Sequence, residues 1–248
     1  MKFHAITDVG RMRSQNQDNV YGTTSPIGPL PNLFLVADGM GGHNAGDYAS
    51  RRAIELVKES VEQSPGTEPV EVLRTAITTA NDMLFSEARQ QEEKSGMGTT
   101  FVAATIVNEE LLVANVGDSR LYVLHDGQLR QITLDHSLVE EMVRTGSMCQ
   151  EMAYHHPKKH MITRAVGAED KVDIDFFDVS LFGDEIILLC SDGLSNMVED
   201  DRIRELLLTE ESAQQRAESL VQAANQKGGR DNITVIVVEP FSSEVKAC

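Results

Sequence analysis

Leu33-Phe34-Leu35-Val36-Ala37-Asp38-Gly39-Met40-Gly41-Gly42-His43 is an apolar run that stops on an acid, breaks into glycines and passes into a segment of helical spacing. A short apolar run bounded in this way reads as a buried strand, and its end carries a carboxylate out of the core. Three later stretches repeat the arrangement. Leu111-Leu112-Val113-Ala114-Asn115-Val116-Gly117 runs into Asp118, Glu185-Ile186-Ile187-Leu188-Leu189-Cys190-Ser191 runs into Asp192-Gly193, and Asp231-Asn232 opens Ile233 to Val238. Strand interiors are fixed by packing whereas strand tips meet loops and solvent, so these four aspartates are candidates to converge on one polar site. Taken singly, an Asp-Gly pair makes a turn. Taken together, acids without matching Lys or Arg repel one another, and a hard cation is the usual remedy.

A chain of 248 residues, 41% hydrophobic and 25% charged, can bury a sizeable core and reads as a soluble globular protein. No break in composition divides it, so one domain over residues 1–248 is expected. The formal charge of −17 opposes nucleic acid and anionic membranes and favours cations. Cys149, Cys190 and Cys248 lack the spacing of a disulfide framework, and Cys190 sits in an apolar strand as a small hydrophobe would, which fits a reducing cytoplasm. The opening Met1 to Asp8 has no apolar signal core, and no run approaches the length of a membrane span, so no membrane insertion is expected.

Along the chain, residues 2 to 7 read as a first strand, Arg11 to Asn19 as a polar loop, and Tyr21 to Asn32 as a connection rich in Gly and Pro. Gly46 to Val61 and Val70 to Lys94 carry apolar residues at helical spacing. Thr99 to Val107, Glu110 to Val116, Arg120 to Leu124 and Gln128 to Thr133 form a meander with tight turns at Asn108-Glu109 and Asp126-Gly127. A flap follows over about 136–168, with a short helix Leu138 to Thr145. Its Cys149, His155, His156 and His160 lack the paired spacing of a structural zinc site and read as surface residues. Val172 to Val179 and Glu185 to Cys190 read as strands, Ile203 to Leu208 and Ser212 to Asn225 as helices, and Ile233 to Val238 as the closing strand.

Runs of strands alternating with pairs of helices exclude a regular doubly wound sheet. The expected class is α+β, a four-layer αββα sandwich of two antiparallel sheets flanked by helices, with a flap subdomain. No Gly-x-x-x-x-Gly-Lys-Ser/Thr loop is present, which disfavours a P-loop nucleotide enzyme.

The ordered set Arg13 with Asn16-Gln17-Asp18, Asp38 to His43, Gly96-Met97-Gly98-Thr99-Thr100, Gly117-Asp118-Ser119-Arg120, Asp135-His136-Ser137-Leu138, Ser191-Asp192-Gly193 and Gly229-Arg230-Asp231-Asn232 resembles the metal-dependent protein phosphatases of type 2C, in particular their compact bacterial members. The resemblance runs from about Ile6 to Val238. It implies the same helix-flanked double sheet. It also implies two tightly bound magnesium or manganese ions held by Asp38, the Gly39 carbonyl, Asp192 and Asp231, and hydrolysis of phosphoserine or phosphothreonine by a metal-bridging hydroxide. Arg13 matches the family's phosphate-binding arginine, Asp118 a ligand for a third, weaker ion shared with Asp192, and Asp18 an acid that orients metal-bound water. Some members follow the Asp-Gly with a histidine as general acid. Here Met40 takes that position and His43 is the nearby imidazole, the candidate proton donor.

The resemblance further implies phosphorylated proteins as substrates, a cognate bacterial Ser/Thr kinase as the opposing partner, and a monomer. Two other classes compete: a silent phosphoprotein-binding module, and a phosphohydrolase of small molecules. The intact acids argue against the first, since without metal they only destabilise one another.

Overall fold

The computed structural model describes residues 1–42, 45–149, 152, 156–158 and 160–241. Its strands are β1 (Lys2–Asp8), β2 (Asp18–Thr23), β3 (Leu33–Met40), β4 (Gly98–Thr99), β5 (Phe101–Val107), β6 (Glu110–Val116), β7 (Arg120–His125), β8 (Gln128–Gln131), β9 (Asp175–Ser180), β10 (Ile186–Cys190) and β11 (Ile233–Glu239). Its helices are α1 (Ala45–Glu62), α2 (Pro69–Gln90), α3 (Leu138–Arg144), α4 (Asp192–Ser195), α5 (Asp200–Leu207) and α6 (Ala213–Gln226), and Glu92–Lys94 forms a 3-10 turn.

The strands make two antiparallel sheets, ordered β1-β11-β10-β7-β8 and β2-β3-β5-β6-β9, with β4 paired to the end of β3. The alternation within β3 sets the layers. Leu33, Leu35 and Ala37 pack with Ala53, Val57 and Ile77 of α1 and α2, whereas Phe34 and Val36 pack between the sheets with Leu121, Leu189 and Ile236. On the far side Leu188, Val235 and Val237 meet Ile203, Ala217 and Leu220 of α5 and α6. The result is the αββα order expected from the sequence. A slip of one residue in β3 would exchange its two apolar faces, and Phe34 is 1% exposed where it sits; truncating such a ring costs about 3–5 kcal/mol. Both tight turns take the positive φ that a two-residue hairpin needs, at Asn108 (49°), Glu109 (66°), Asp126 (48°) and Gly127 (72°).

Boundaries differ from the sequence reading in several places; the second helix, read to Lys94, ends at Gln90 before a separate 3-10 turn. Asp18–Thr23, read as the end of a loop and the start of a connection, is the edge strand β2, in register with β3 from Asp18↔Asp38 to Thr23↔Leu33. An edge strand buries less, so its apolar signal is weak: only Val20 and Tyr21 pack inward, and Gly22 lies where a Cβ would come within 2.5 Å of the Phe3 ring. β9 begins at Asp175, not Val172; Val172 and Ile174 pack under the α1/α2 layer without strand pairing. Asp192 opens the short helix α4 immediately after β10.

The base of the segment read as a flap is built into the frame. Val166 and Thr99 exchange backbone hydrogen bonds at 2.8 and 3.0 Å, and Thr163 N donates to His136 O at 2.8 Å. His136, 5% exposed, accepts at Nδ1 from Gly117 N at 3.1 Å. Cys190 is fully buried, and burial pushes its thiol up to about 12. No helix of the described residues is long and apolar enough to cross a membrane.

Candidate metal centre

Five aspartates meet at one end of the sandwich because the strands that carry them end there. Asp38 lies in the last turn of chain of β3, and its partner across β2 is Asp18. Asp118 follows β6 after Gly117, which turns the chain with φ +104° against Thr100. Asp192 follows β10, and Asp231 precedes β11. Glycines allow the close approach. A Cβ on Gly39 would stand 2.0 Å from Gly46 O, and one on Gly193 would stand 1.8 Å from Asn232 O, so the two Asp-Gly pairs are dictated by packing of backbone on backbone as much as by turn chemistry.

Hydrogen bonds aim the acids. Asp38 N donates to Thr100 Oγ1 at 3.0 Å, and its carbonyl accepts from Thr99 Oγ1 and Thr100 N, both at 2.9 Å. Ser191 Oγ donates to Asp18 Oδ2 at 2.7 Å, and Asn196 Nδ2, one helical turn on, donates to Asp192 Oδ2 at 2.8 Å. Arg13 Nη2 donates to Asp231 Oδ2 at 2.8 Å. The loop that carries Arg13 is fastened by Asn232. Its Nδ2 donates to Val9 O and Gln15 O, both at 2.9 Å, and its Oδ1 accepts from Gln17 N at 2.8 Å.

Electrostatically the acids are unfavourable to one another. Burial, with Asp192 and Asp231 nearby, pushes the Asp18 carboxyl up to about 7 despite the Ser191 bond. Burial and then Asp18 and Asp192 hold Asp38 well above the usual carboxylate range, and burial and then Asp192 do the same to Asp118. Asp192 is raised by burial and by Asp231, with His160 and Arg13 working against the rise. Two buried carboxylate oxygens, Asp18 Oδ1 and Asp192 Oδ1, have no hydrogen-bond partner among the described residues. Orphaned oxygens, an oxygen-only donor set and stacked like charge together fit hard divalent cations.

The acids open on a cavity of about 620 Å³. Asp38, Gly39, Asp118, Asp192, Asp231 and Arg13 all line it, so the structure brings together every sequence-predicted residue of this group; Asp18 lies beneath, 4% exposed. His43 lies outside the described residues, as does His155 of the histidine group. His160, read from sequence as a surface residue, lines the cavity, while Cys149 is exposed elsewhere. Thr100 and Arg230, quoted from the sequence within motifs but given no role, and Asn196, which the sequence reading passed over, line the same space. Asn196 had a signal, its spacing of four from Asp192 at a helix start. Arg230 had one too, beside Asp231. His160 had none, since only the return of the flap places it.

Among the described residues one group of three ligand atoms lies within 4.8 Å of one another, and it is remote from this cavity: His125, Asp126 and Asp184. There the ring nitrogens already face carboxylates, Nδ1 on Asp184 at 2.7 Å and Nε2 on Asp126 at 3.6 Å, which satisfies the group without an ion. No three ligand atoms of the described main-cavity acids lie within 4.8 Å of one another.

Comparison with known proteins agrees with this geometry. The family model described as Protein phosphatase 2C matches residues 11–233. The serine/threonine phosphatase Stp of Listeria welshimeri is 42% identical over 237 residues, covering 94% of this chain and 93% of that one. The crystal structure of serine/threonine phosphatase Stp1 from Staphylococcus aureus superposes with a TM-score of 0.90 at 35% identity, covering 97% and 95% of the two chains. The catalytic domain of the serine/threonine protein phosphatase PstP, crystallised with two manganese ions, gives a TM-score of 0.83 at 34% identity over 95% and 96%. With the fold, the ordered motifs and the acidic cavity all in place, the chain belongs to the protein phosphatase 2C family.

Proposed function

We propose that the protein is a metal-dependent serine/threonine phosphoprotein phosphatase whose single domain, residues 1–248 with a flap over about 136–168, holds two divalent ions at Asp38, the Gly39 carbonyl, Asp192 and Asp231. The observation that carries this reading is the convergence of five acids, only Asp231 of them ion-paired among the described residues and two with orphaned oxygens, at a cavity that Arg13 also lines. Manganese or magnesium serves as the resident ion, with a weaker third ion at Asp118 and Asp192. When bound, the pair supplies a shared water of lowered pKa and positive charge against the phosphoryl oxygens. Arg13, whose side chain is 48% exposed on its Asp231 pair, has the room and the planar fork to take two phosphoryl oxygens. Asp18, anchored by Ser191, accepts and orients a proton beneath Asp38. His43 follows the Asp38 loop in sequence and serves as the proton donor to the leaving oxygen. The substrates are phosphorylated proteins, the opposing partner is a cognate Ser/Thr kinase, and the enzyme works as a cytoplasmic monomer.

The test is turnover of a phosphothreonine peptide and of a phosphorylated metabolite, with manganese and then with chelator. Manganese-dependent release from the peptide, well above that from the metabolite, is expected. Equal turnover in chelator would sink the metal reading, and preference for the metabolite would sink the protein-substrate reading.

A further inference from the structure

A second cavity of about 470 Å³ adjoins the first, and the two share Asp118, Asp192 and Asn196 as a common wall. Away from that wall its lining is acidic: Glu140 from α3, and Glu199, Asp200 and Asp201 at the start of α5. The one basic side chain on it among the described residues, Arg120, is already neutralised. Its Nε and Nη2 donate to Asp135 at 2.9 and 2.7 Å, and its Nη1 donates to Tyr122 Oη at 2.9 Å. Glu140 and Glu199 have no side-chain partner among the described residues, and the Asp201 side chain is 94% exposed, its carboxylate 3.9 Å from Arg204 Nε. Asp118 is 8% exposed and no other described residue hydrogen-bonds its carboxylate, which opens on both cavities. The first turn of a helix favours acids on its own account. That accounts for neither the opening of two helix starts on one trench nor the unpartnered Asp118 at its head.

Arg13 and Asp231 line the central cavity and not the trench, so the two spaces differ in charge: a guanidinium where a phosphate would dock, and carboxylates beyond Asp118. We propose that the trench receives a Lys or Arg side chain of the substrate, so that the enzyme prefers phosphoserine or phosphothreonine with a basic residue close by in sequence. This rests on the phosphoprotein phosphatase reading above. An extended peptide advances about 3.3 Å per residue, so a long basic side chain one to three positions from the phosphorylated one spans the shared wall. Glu140 and Glu199, left without cations, and Asp201, held only by a long exposed pair, would each contribute weakly and in a salt-sensitive way.

The experiment compares kcat/KM, at low and high salt with manganese, for phosphothreonine peptides carrying Lys at each flanking position in turn against an all-Ala flank. Wild type, Glu140→Gln and the double variant Glu199→Gln/Asp201→Asn are each measured, with a small aryl phosphate as the reference substrate. Lys at one or two adjacent positions is expected to raise wild-type kcat/KM about five- to tenfold at low salt. The gain is expected to shrink in high salt and in both variants, while aryl phosphate turnover stays at the wild-type level. A wild-type enzyme indifferent to Lys, or a gain kept in full by both variants, overturns the trench proposal and leaves the phosphatase standing. Failure to turn over any phosphopeptide with manganese overturns the phosphatase reading, and the trench proposal with it. Thermal melts identify a variant that has lost its fold, and the other variant then carries the decision.

Discussion

Arg120 closes on Asp135 through two hydrogen bonds, Nε to Oδ1 at 2.9 Å and Nη2 to Oδ2 at 2.7 Å, and so leaves the neighbouring Asp118 without a partner. A turn-forming aspartate paired to its following arginine would have been the ordinary outcome of the Gly117-Asp118-Ser119-Arg120 sequence. Asp118→Asn keeps size and turn propensity while removing a buried charge that Asp192, Asp135 and Asp38 feel as repulsion. The melting temperature is therefore expected to hold or rise slightly, while phosphopeptide kcat falls on the order of tenfold or more. Wild-type kcat across a manganese titration would remove Asp118 from any role in ion binding.

Asp38→Ala or Asp192→Ala takes one carboxylate from the heart of the cluster. Metal-dependent turnover is expected to be abolished, and calorimetry to show manganese binding lost with it. Full activity in either variant would overturn the assignment of two ions.

Arg13→Ala removes one half-exposed ion pair, worth within about 1 kcal/mol, so stability should barely change. Because its proposed partner is the phosphate, KM for a small aryl phosphate is expected to rise while manganese affinity stays close to wild type. Unchanged KM and kcat would exclude Arg13 from the site.

The metal-free protein should lose stability as pH rises. In the folded state Asp18, Asp38, Asp118 and Asp192 hold their protons above the ordinary carboxylate value of 3.8, and Asp18 holds its proton to about 7. The unfolded chain releases those protons from about pH 4 upward, so in this window it binds fewer than the folded one and stability falls with pH. Above the folded values the loss is complete and the curve levels. Thermal melts in chelator from pH 5 to pH 9 are expected to show the decline, and the rise in melting temperature on adding manganese is expected to be larger at pH 8 than at pH 6. A metal-free melt that climbs steadily through this range would contradict the buried, uncompensated state of these acids.

What the sequence disclosed follows the strength of local periodicity. α1 and α2 bury one face over many turns, and β5 is joined to β6, and β7 to β8, by two-residue turns whose residues accept positive φ, so both groups are readable one segment at a time. β2 escaped because an edge strand of six residues next to a polar site has few apolar positions to alternate. The acids Asp38, Asp118, Asp192 and Asp231 were readable because each stands where an apolar strand ends. His160 and the pairing of Arg120 with Asp135 were not, since both depend on where a distant segment returns, and no local spacing encodes that return.

The acids are also divided between the two sheets. Asp38 and Asp118 leave β3 and β6 of one, Asp192 and Asp231 leave β10 and β11 of the other, and β11 is held on one side by β1 and on the other by β10. A chain still emerging from the ribosome therefore carries no complete centre while its first three acids are already made. Only when β11 slides in beside β1, joining residues such as Phe3 and Val238 that stand more than two hundred positions apart, does the fourth acid reach the others. Catalytic competence thus waits on synthesis through β11, and a product truncated before it, however well its first sheet folds, has no way to strip phosphate from the proteins around it.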